Sequence, residues 1–174
     1  MCYYKVVSTP NQTINFELKK VDKITDFIGD KKFDEALNLI KSLQNVNQVD
    51  SYGNPIICVA AAFGGLEIIK YLIEEKNVDV NSKSSINMTP LMDASLHSNL
   101  DIVEYLISKH ADINAANDDF DTALSLALEN SSDKVIICLL NNGADKNYIH
   151  PNEGSMLEIA KRHLRNDVIY LFEN

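Results

Sequence analysis

Apolar residues recur along the chain in short stripes separated by polar turns, and their spacing predicts pairs of helices. Ile68, Ile69 and Leu72, for example, fall at positions i, i+1 and i+4, which places them on one side of a helix. The expected first helices cover roughly residues 55–62, 90–97, 122–129 and 155–162, and the second helices roughly 66–75, 100–109, 133–141 and 167–172.

The stripes belong to a repeat whose units begin at Asp50, Ser84, Asn117 and His150, at intervals of 34, 33 and 33 residues. At four equivalent positions, called columns below, every unit has a residue of the same type. One column is always alanine, as expected where two helices and the next unit crowd together. One helix pair cannot bury its apolar stripe alone, so neighbouring units must stack. The columns are Ala60, Ala94, Ala127 and Ala160; Ile57, Leu91, Leu124 and Leu157; Ile68, Ile102, Val135 and Val168; and Leu72, Leu106, Leu139 and Phe172.

Three motifs give the repeat a family resemblance. They are Thr89-Pro90-Leu91-Met92-Asp93-Ala94, Gly65-Leu66-Glu67-Ile68-Ile69 and Gly143-Ala144-Asp145-Lys146-Asn147. They resemble the ankyrin repeat, whose pattern runs Thr-Pro-Leu-His-x-Ala, then Gly-His-Leu-Glu-Ile-Val, then Gly-Ala-Asp-Val-Asn. The resemblance covers roughly residues 50–174 and implies an all-α repeat solenoid built of helix-turn-helix units with hairpin loops. His110 and Phe120 stand where this pattern usually has glycine.

The chain is expected to form one solenoid of about five units, including degenerate caps at both ends. Residues 1–20 are ambiguous, because they alternate as strands while Ile14, Leu18 and Val21 also fit a helix. We expect an extended segment there that covers the first helices. The predicted divisions are an N-terminal extension (1–20), a degenerate capping repeat (21–49), three ankyrin repeats (50–83, 84–116 and 117–149) and a C-terminal capping repeat (150–174).

Composition narrows the class of protein. The chain has 174 residues, is 45% hydrophobic and 24% charged, and carries a formal net charge of -9. These are globular values, and the acidity argues against binding to nucleic acid or to an anionic membrane. The charge suits a basic protein partner, and it would equally serve solubility alone. Three widely spaced cysteines, Cys2, Cys58 and Cys138, favour a reducing compartment, so we expect a cytoplasmic protein. We also expect it to be monomeric when it is free of its partner.

Catalytic signatures are missing from the sequence. It holds no GxSxG, HExxH, Walker-type or kinase motif, and its four histidines lack a metal-ligand spacing. Cys58 and Cys138 are expected to face the helix stack as small hydrophobic residues. A calcium loop at Asp118-Asp119-Phe120-Asp121 would lack the loop glycine and the distal glutamate. We therefore expect no enzyme activity, no cofactor and no metal.

The resemblance implies a binding surface made of the hairpin tips and the outer face of each first helix. Apolar residues placed there, such as Tyr52, Phe63, Ile86 and Met88, would act as anchors for a partner. Asp118, Asp119 and Asp121 would put three carboxylates on one tip. The alternatives are that Met88 and Phe120 only pack between hairpins and that the aspartates are a solvated turn. The expected partner-binding residues are Tyr52, Asn54, Phe63, Ile86, Met88, Leu96, His97, Asp118, Asp119, Asp121, Glu129 and Asn130.

These features predict a non-enzymatic protein-interaction module that binds another protein. We favour occlusion of the partner, as by a toxin-neutralising immunity protein or an enzyme inhibitor. The alternatives are a secreted bacterial effector that captures a host protein, a structural subunit of a larger assembly, and an enzyme with an unrecognised site in residues 1–49.

Overall fold

A computed structural model describes residues 10–130, 133–163 and 165–173, with the backbone alone for residues 10–17. The described residues form α-helices, short turns of other helix types and one two-residue hairpin ladder. In chain order the elements are α1 (Pro10–Gly29), α2 (Phe33–Lys41), α3 (Ile56–Phe63), α4 (Leu66–Lys70), a π-helical turn (Tyr71–Glu75), α5 (Pro90–Leu96), α6 (Leu100–Ser108), α7 (Ala123–Asn130), α8 (Asp133–Asn141), β1 (Ile149–His150), β2 (Gly154–Ser155), α9 (Met156–Arg162) and a 3-10 helix (Ile169–Phe172).

Stacked first helices form the centre of the molecule. In sequence order α1, α3, α5, α7 and α9 pack each against the next, and α6 and α8 pack on each other in a second row. The four column alanines are each 0% exposed, so the stack leaves room there for a methyl group only. The predicted all-α repeat solenoid is confirmed.

The N-terminal region is more helical than the sequence suggested. Helix α1 begins at Pro10, so the expectation of an extended segment is wrong for residues 10–20, and residues 1–9 lie outside the described residues. Val21, Ile24 and Ile28 are fully buried, and α1 packs on α2 and α3. The segment is a helix and not a strand because one apolar stripe of α1 covers the apolar side of the first stacked helices. The expected boundary between residues 20 and 21 falls inside this helix.

Each hairpin is closed by the polar residue that begins its unit. Asp50 Oδ1 accepts hydrogen bonds from the backbone N–H groups of Tyr52 and Asn54, both at 2.9 Å. The equivalent side chains of Ser84, Asn117 and His150 accept from backbone N–H groups in the same way. The acceptor residues are buried, so each supplies the turn amides with partners from within the protein.

The asparagine at the end of the ankyrin pattern joins neighbouring units. Asn81 Oδ1 accepts from the Asp112 N–H at 2.8 Å, and Asn114 Oδ1 accepts from the Asp145 N–H at 2.9 Å. A side chain of one unit thus satisfies the backbone of the next, which fixes the spacing of the hairpin ends.

Helix ends follow the sequence signals. Thr89 caps α5 by accepting from the Met92 N–H, with Pro90 at the first helical position. Gly143 has φ +97° and lies just beyond the end of α8, where a glycine commonly forms a left-handed helix stop. His110 takes the same region with φ +64°, although it carries a side chain. The last predicted helix is shorter than expected and is a 3-10 helix at Ile169–Phe172.

Asn99 stabilises the end of a helix in the preceding unit. Its Nδ2 donates to the carbonyls of Ala61 at 2.7 Å and Ala62 at 2.9 Å, and it makes no side-chain cap on its own helix. Arg165 Nε donates to Leu128 O at 2.7 Å from the corresponding position of the last unit. These contacts join consecutive units through the carbonyls that a helix end leaves without partners.

We expect Asn99→Ala to lower the free energy of unfolding by about 1–2 kcal/mol, because two half-buried carbonyls lose their donor. Urea unfolding monitored by circular dichroism measures this change. Asn141→Ala, at an exposed helix position, is the matched control and should stay within about 0.5 kcal/mol of wild type. Equal effects of the two substitutions would contradict the role assigned to Asn99.

Candidate functional site

A cleft with aromatic walls opens between α1 and the first hairpin. Its volume is about 630 Å³, and Tyr52 and Phe63 stand on its sides. Tyr52 is 81% exposed and Phe63 is 42% exposed, so both rings are presented to solvent. This is the first part of the expected binding surface, and the structure brings Tyr52, Asn54 and Phe63 together there.

Carboxylates dominate the charge of the cleft. Asp26, Asp30 and Asp50 line it, and no lysine or arginine is among its described lining residues. Asp50 is buried and its oxygens are used by the hairpin backbone, so the exposed charges are those of Asp26 and Asp30. Lys32 Nζ lies 2.7 Å from Asp30 Oδ2, and this hydrogen bond raises the pKa of Lys32. An exposed pair of this kind is weak, so an incoming cation can displace it.

The aromatic surface continues into the next unit. His97 is exposed and stacks on Phe63, with ring centroids 6.4 Å apart and planes at 25°. Ile86 is 51% exposed on the second hairpin tip, and its carbonyl accepts from the Asp118 N–H at 3.2 Å. Leu96 is half-buried and packs against the core. His97 thus extends the aromatic surface beyond the cleft, and Ile86 contacts the third hairpin.

Met88 is a correction to the expected surface. Its side chain is only 9% exposed, and its sulfur accepts a hydrogen bond from Asn117 Nδ2 at 3.2 Å. Asn87 stands at φ +60° between Ile86 and Met88, and across this turn Ile86 is exposed whereas Met88 is buried. Met88 therefore packs between hairpins, which was the alternative interpretation.

The acidic tip is smaller than expected. Asp118 and Asp119 are exposed, and Asp118 Oδ1 accepts from Asn87 Nδ2 at 2.6 Å. Asp121 is half-buried; its Oδ2 accepts from Asn117 Nδ2 at 3.5 Å and its Oδ1 accepts from the Ser125 hydroxyl at 3.5 Å. Burial raises the pKa of the Asp121 carboxyl. The expectation of three solvent-facing carboxylates is wrong for Asp121, because its side chain turns toward the fourth unit.

Phe120 is an exposed aromatic residue that the expected partner-binding set leaves out and that the alternative interpretation packs between hairpins. It is 49% exposed and has φ +70°, a region that disfavours side chains. The signal was present in the sequence, because a bulky ring occupies a turn position where glycine is usual. Residues held in such disfavoured backbone regions are frequent at functional sites.

The third unit ends in acidic and polar residues. Asn130 is exposed, whereas Glu129 is half-buried at the end of α7. Burial raises the pKa of Glu129, and the nearby charges of Asp121 and Glu153 raise it further. Glu129 thus belongs to a group of carboxylates shared by the third and fourth units.

The two described cysteines and His97 show no arrangement that would activate a nucleophile. Cys58 is buried and its pKa is raised, mainly by burial, so it stays a thiol. Burial also raises the pKa of the half-buried Cys138. His97 Nδ1 lies 2.9 Å from the backbone carbonyl of Asp93, a local contact within one turn of helix. Cys58 is buried as expected, and Cys138 faces the stack with only part of its surface.

Comparisons with known proteins agree with the architecture. A family model described as ankyrin repeats, three copies, matches residues 30–117 and 87–150. Alpha-latrocrustotoxin-Lt1a of Latrodectus tredecimguttatus is 30% identical over 128 residues, covering 74% of this chain and 9% of the relative. Human neurogenic locus notch homolog protein 1 is 28% identical over 127 residues, covering 73% of this chain and 5% of the relative.

Another relative is a fowlpox virus protein named as an ankyrin repeat protein, 36% identical over 104 residues, covering 58% of this chain and 30% of the relative. The chain thus spans less than a third of the length of each of these relatives. In the part of the chain that the structure describes, every helix is too short or too polar to cross a membrane.

Proposed function

This chain belongs to the ankyrin-repeat family, and from that premise we propose that it binds a basic segment of a partner protein and occludes it. The binding surface is made of the hairpin tips and the outer face of each first helix, and is called the concave face below. The repeats of this family are protein-interaction modules. In this protein, the described residues form a surface that carries both aromatic rings and carboxylates. The partner is expected to place lysine or arginine side chains along that surface.

The cleft between Tyr52 and Phe63 is the observation that carries the proposal. Tyr52 presents most of its ring to solvent, and aromatic rings dominate interface energies once a partner covers them. The neighbouring carboxylates of Asp26 and Asp30 would face a cation that sits over the rings. Cation–π attraction and the carboxylates would then act on the same side chain, contributing about 1–2 kcal/mol for a desolvated contact.

The second and third hairpins would extend the contact. Ile86 and Phe120 add apolar area, and Asp118 and Asp119 add negative charge at the tip. Charges at the edge of an interface mainly steer the encounter and select the partner. We therefore assign affinity to the aromatic residues, and association rate and its dependence on salt to Asp118 and Asp119.

Occlusion is the mode of action that a stacked array serves best. The surface is built on packed helices, so little ordering entropy opposes binding. Such a surface can cover a basic active site or binding site on its partner, as an inhibitor or a toxin-neutralising immunity protein does.

Affinity capture from native lysate tests the proposal with two matched double variants. Tyr52→Ala/Phe63→Ala should weaken capture of a basic partner by at least about tenfold, since such anchors are each worth about 2 kcal/mol. Ile137→Ala/Tyr170→Ala removes two exposed apolar residues of the second-helix row and should leave capture unchanged. Binding that resists the first variant and fails in the second would place the interface on the other face.

Phe120→Gly separates a binding role from a structural one. We expect the variant to be more stable by about 1 kcal/mol, because glycine relieves the left-handed backbone at this position. We also expect weaker partner binding, because the exposed ring is gone. Thermal unfolding and titration of the captured partner measure the two effects. A loss of stability would show that the ring is needed for packing.

A further inference from the structure

A cluster of two glutamates and one histidine lies where the third and fourth units meet. Glu129 at the end of α7, Glu153 in the last hairpin and His163 at the end of α9 bring one ligand atom each to within 4.8 Å of the others. The three residues come from three separate elements. At the usual zinc–ligand bond lengths, the ligand atoms around one ion lie about 3–4 Å from each other. Small side-chain rotations would therefore allow these three residues to bind one ion.

His150 provides an independent observation beside this cluster. It is only 4% exposed, and its Nδ1 accepts from the backbone N–H groups of Asn152 and Glu153. Its Nε2 must then carry the proton, yet this atom makes no hydrogen bond. It lies 3.4 Å from Asp121 Oδ1, so this buried N–H faces the Asp121 carboxylate beside the cluster without forming a hydrogen bond.

The charges of the cluster are incompletely balanced by the described residues. Asp121, Glu129 and Glu153 bring three carboxylates close enough to repel one another. Arg162 Nη1 lies 3.0 Å from Glu153 Oε2, a buried oxygen that nonetheless lacks hydrogen-bond geometry. Arg162 Nη2 also donates to Glu153 O at 2.8 Å, so the arginine holds the turn that presents this carboxylate.

We propose that Glu129, Glu153 and His163 bind a divalent transition-metal ion that joins the last unit to the third. Two carboxylates and one imidazole supply a charge of -2 and three ligands, which suits zinc with water in the remaining position. Calcium and magnesium prefer oxygen ligands alone, so the imidazole favours a transition metal over either. His150, which accepts from the backbone N–H of Glu153, would hold the turn that presents this ligand.

Calorimetric titration with zinc chloride tests this site. The protein should be free of affinity tags, treated with chelator and carry Cys2→Ala/Cys138→Ala, which leaves buried Cys58 as its one thiol. One ion should bind per chain in the presence of excess magnesium chloride. Glu129→Gln and His163→Gln should each weaken binding by at least about tenfold. Circular dichroism of the metal-free variants checks that they fold.

Glu75→Gln and His97→Gln are matched controls, because they remove the same ligand types at exposed positions outside the cluster. Both should bind zinc as the parent does. The proposal is overturned by a parent that shows no saturable heat. It is equally overturned by Glu129→Gln and His163→Gln variants that bind as tightly as the controls.

Discussion

Ala94→Leu should lower the free energy of unfolding by about 3 kcal/mol, because added methylenes in a close-packed core force shifts that the surroundings resist. Ala94 is 0% exposed on α5, which packs against both α3 and α7. At the equivalent place in the preceding unit, a Cβ added to Gly65 would lie 3.3 Å from Ala60 Cβ. A leucine at position 94 must therefore displace two helix interfaces and the following turn together.

Ala116→Leu is the matched control for this substitution. Ala116 is exposed in a hairpin, so the same added volume should change stability by no more than about 0.5 kcal/mol. Chemical unfolding of both variants, followed by circular dichroism, measures the difference. If Ala94→Leu unfolds at the same urea concentration as wild type, the alanine column does not mark the crowded contact and the repeat register is wrong.

Asp93→Asn should make the protein more stable at neutral and alkaline pH. Burial raises the pKa of Asp93 from 3.8 to about 7, and a hydrogen bond with Cys58 offsets only part of that effect. The folded protein thus holds a proton that the unfolded chain releases at lower pH. The extra stability that this proton gives the folded state is fully present below pH 3.8, the pKa of Asp93 in the unfolded chain. It is lost as the pH rises through about 7, the pKa in the folded protein. Asparagine is neutral throughout and avoids this loss.

The advantage of Asp93→Asn over wild type should therefore grow with pH. We expect it to increase by roughly 2 kcal/mol between about pH 5 and pH 8, and to be constant above that range. Urea unfolding of both proteins across this range measures the change. Asp167→Asn, at an exposed position, should show no such trend. An advantage for Asp93→Asn that is equal at all pH values would mean that the folded carboxyl titrates normally.

The helix pairs and the core could be predicted because the repeat places the same requirement on each unit. Four columns of matching character identify buried positions without any knowledge of the fold, and the positions so chosen in the first helices are buried in the structure, with the exception of half-buried Leu157. The N-terminal segment lacked this support, because residues 1–20 fall outside the repeat. Alternation and helical spacing then competed, and the strand interpretation was wrong for residues 10–20.

The surface residues were harder to predict because single turn angles decide them. Ile86 and Met88 are both apolar residues of one hairpin, and the left-handed Asn87 between them exposes the first and buries the second. Asp118 and Asp121 differ for a similar reason, since Asp121 meets His150 of the next unit. Contacts between units are absent from any one repeat sequence, so the cluster of Glu129, Glu153 and His163 left no spacing signal.

Site-specific photo-cross-linking in cells tests the central claim most directly. A benzoylphenylalanine placed at Tyr52 or Phe120 would report on the concave face, and one placed at Ile137 or Tyr170 would report on the second-helix row. The account predicts that Tyr52 and Phe120 cross-link to the same basic protein and that the other two positions do not. Cross-links from Ile137 or Tyr170 alone, or the same yield from all four positions, would contradict binding through the acidic, aromatic face.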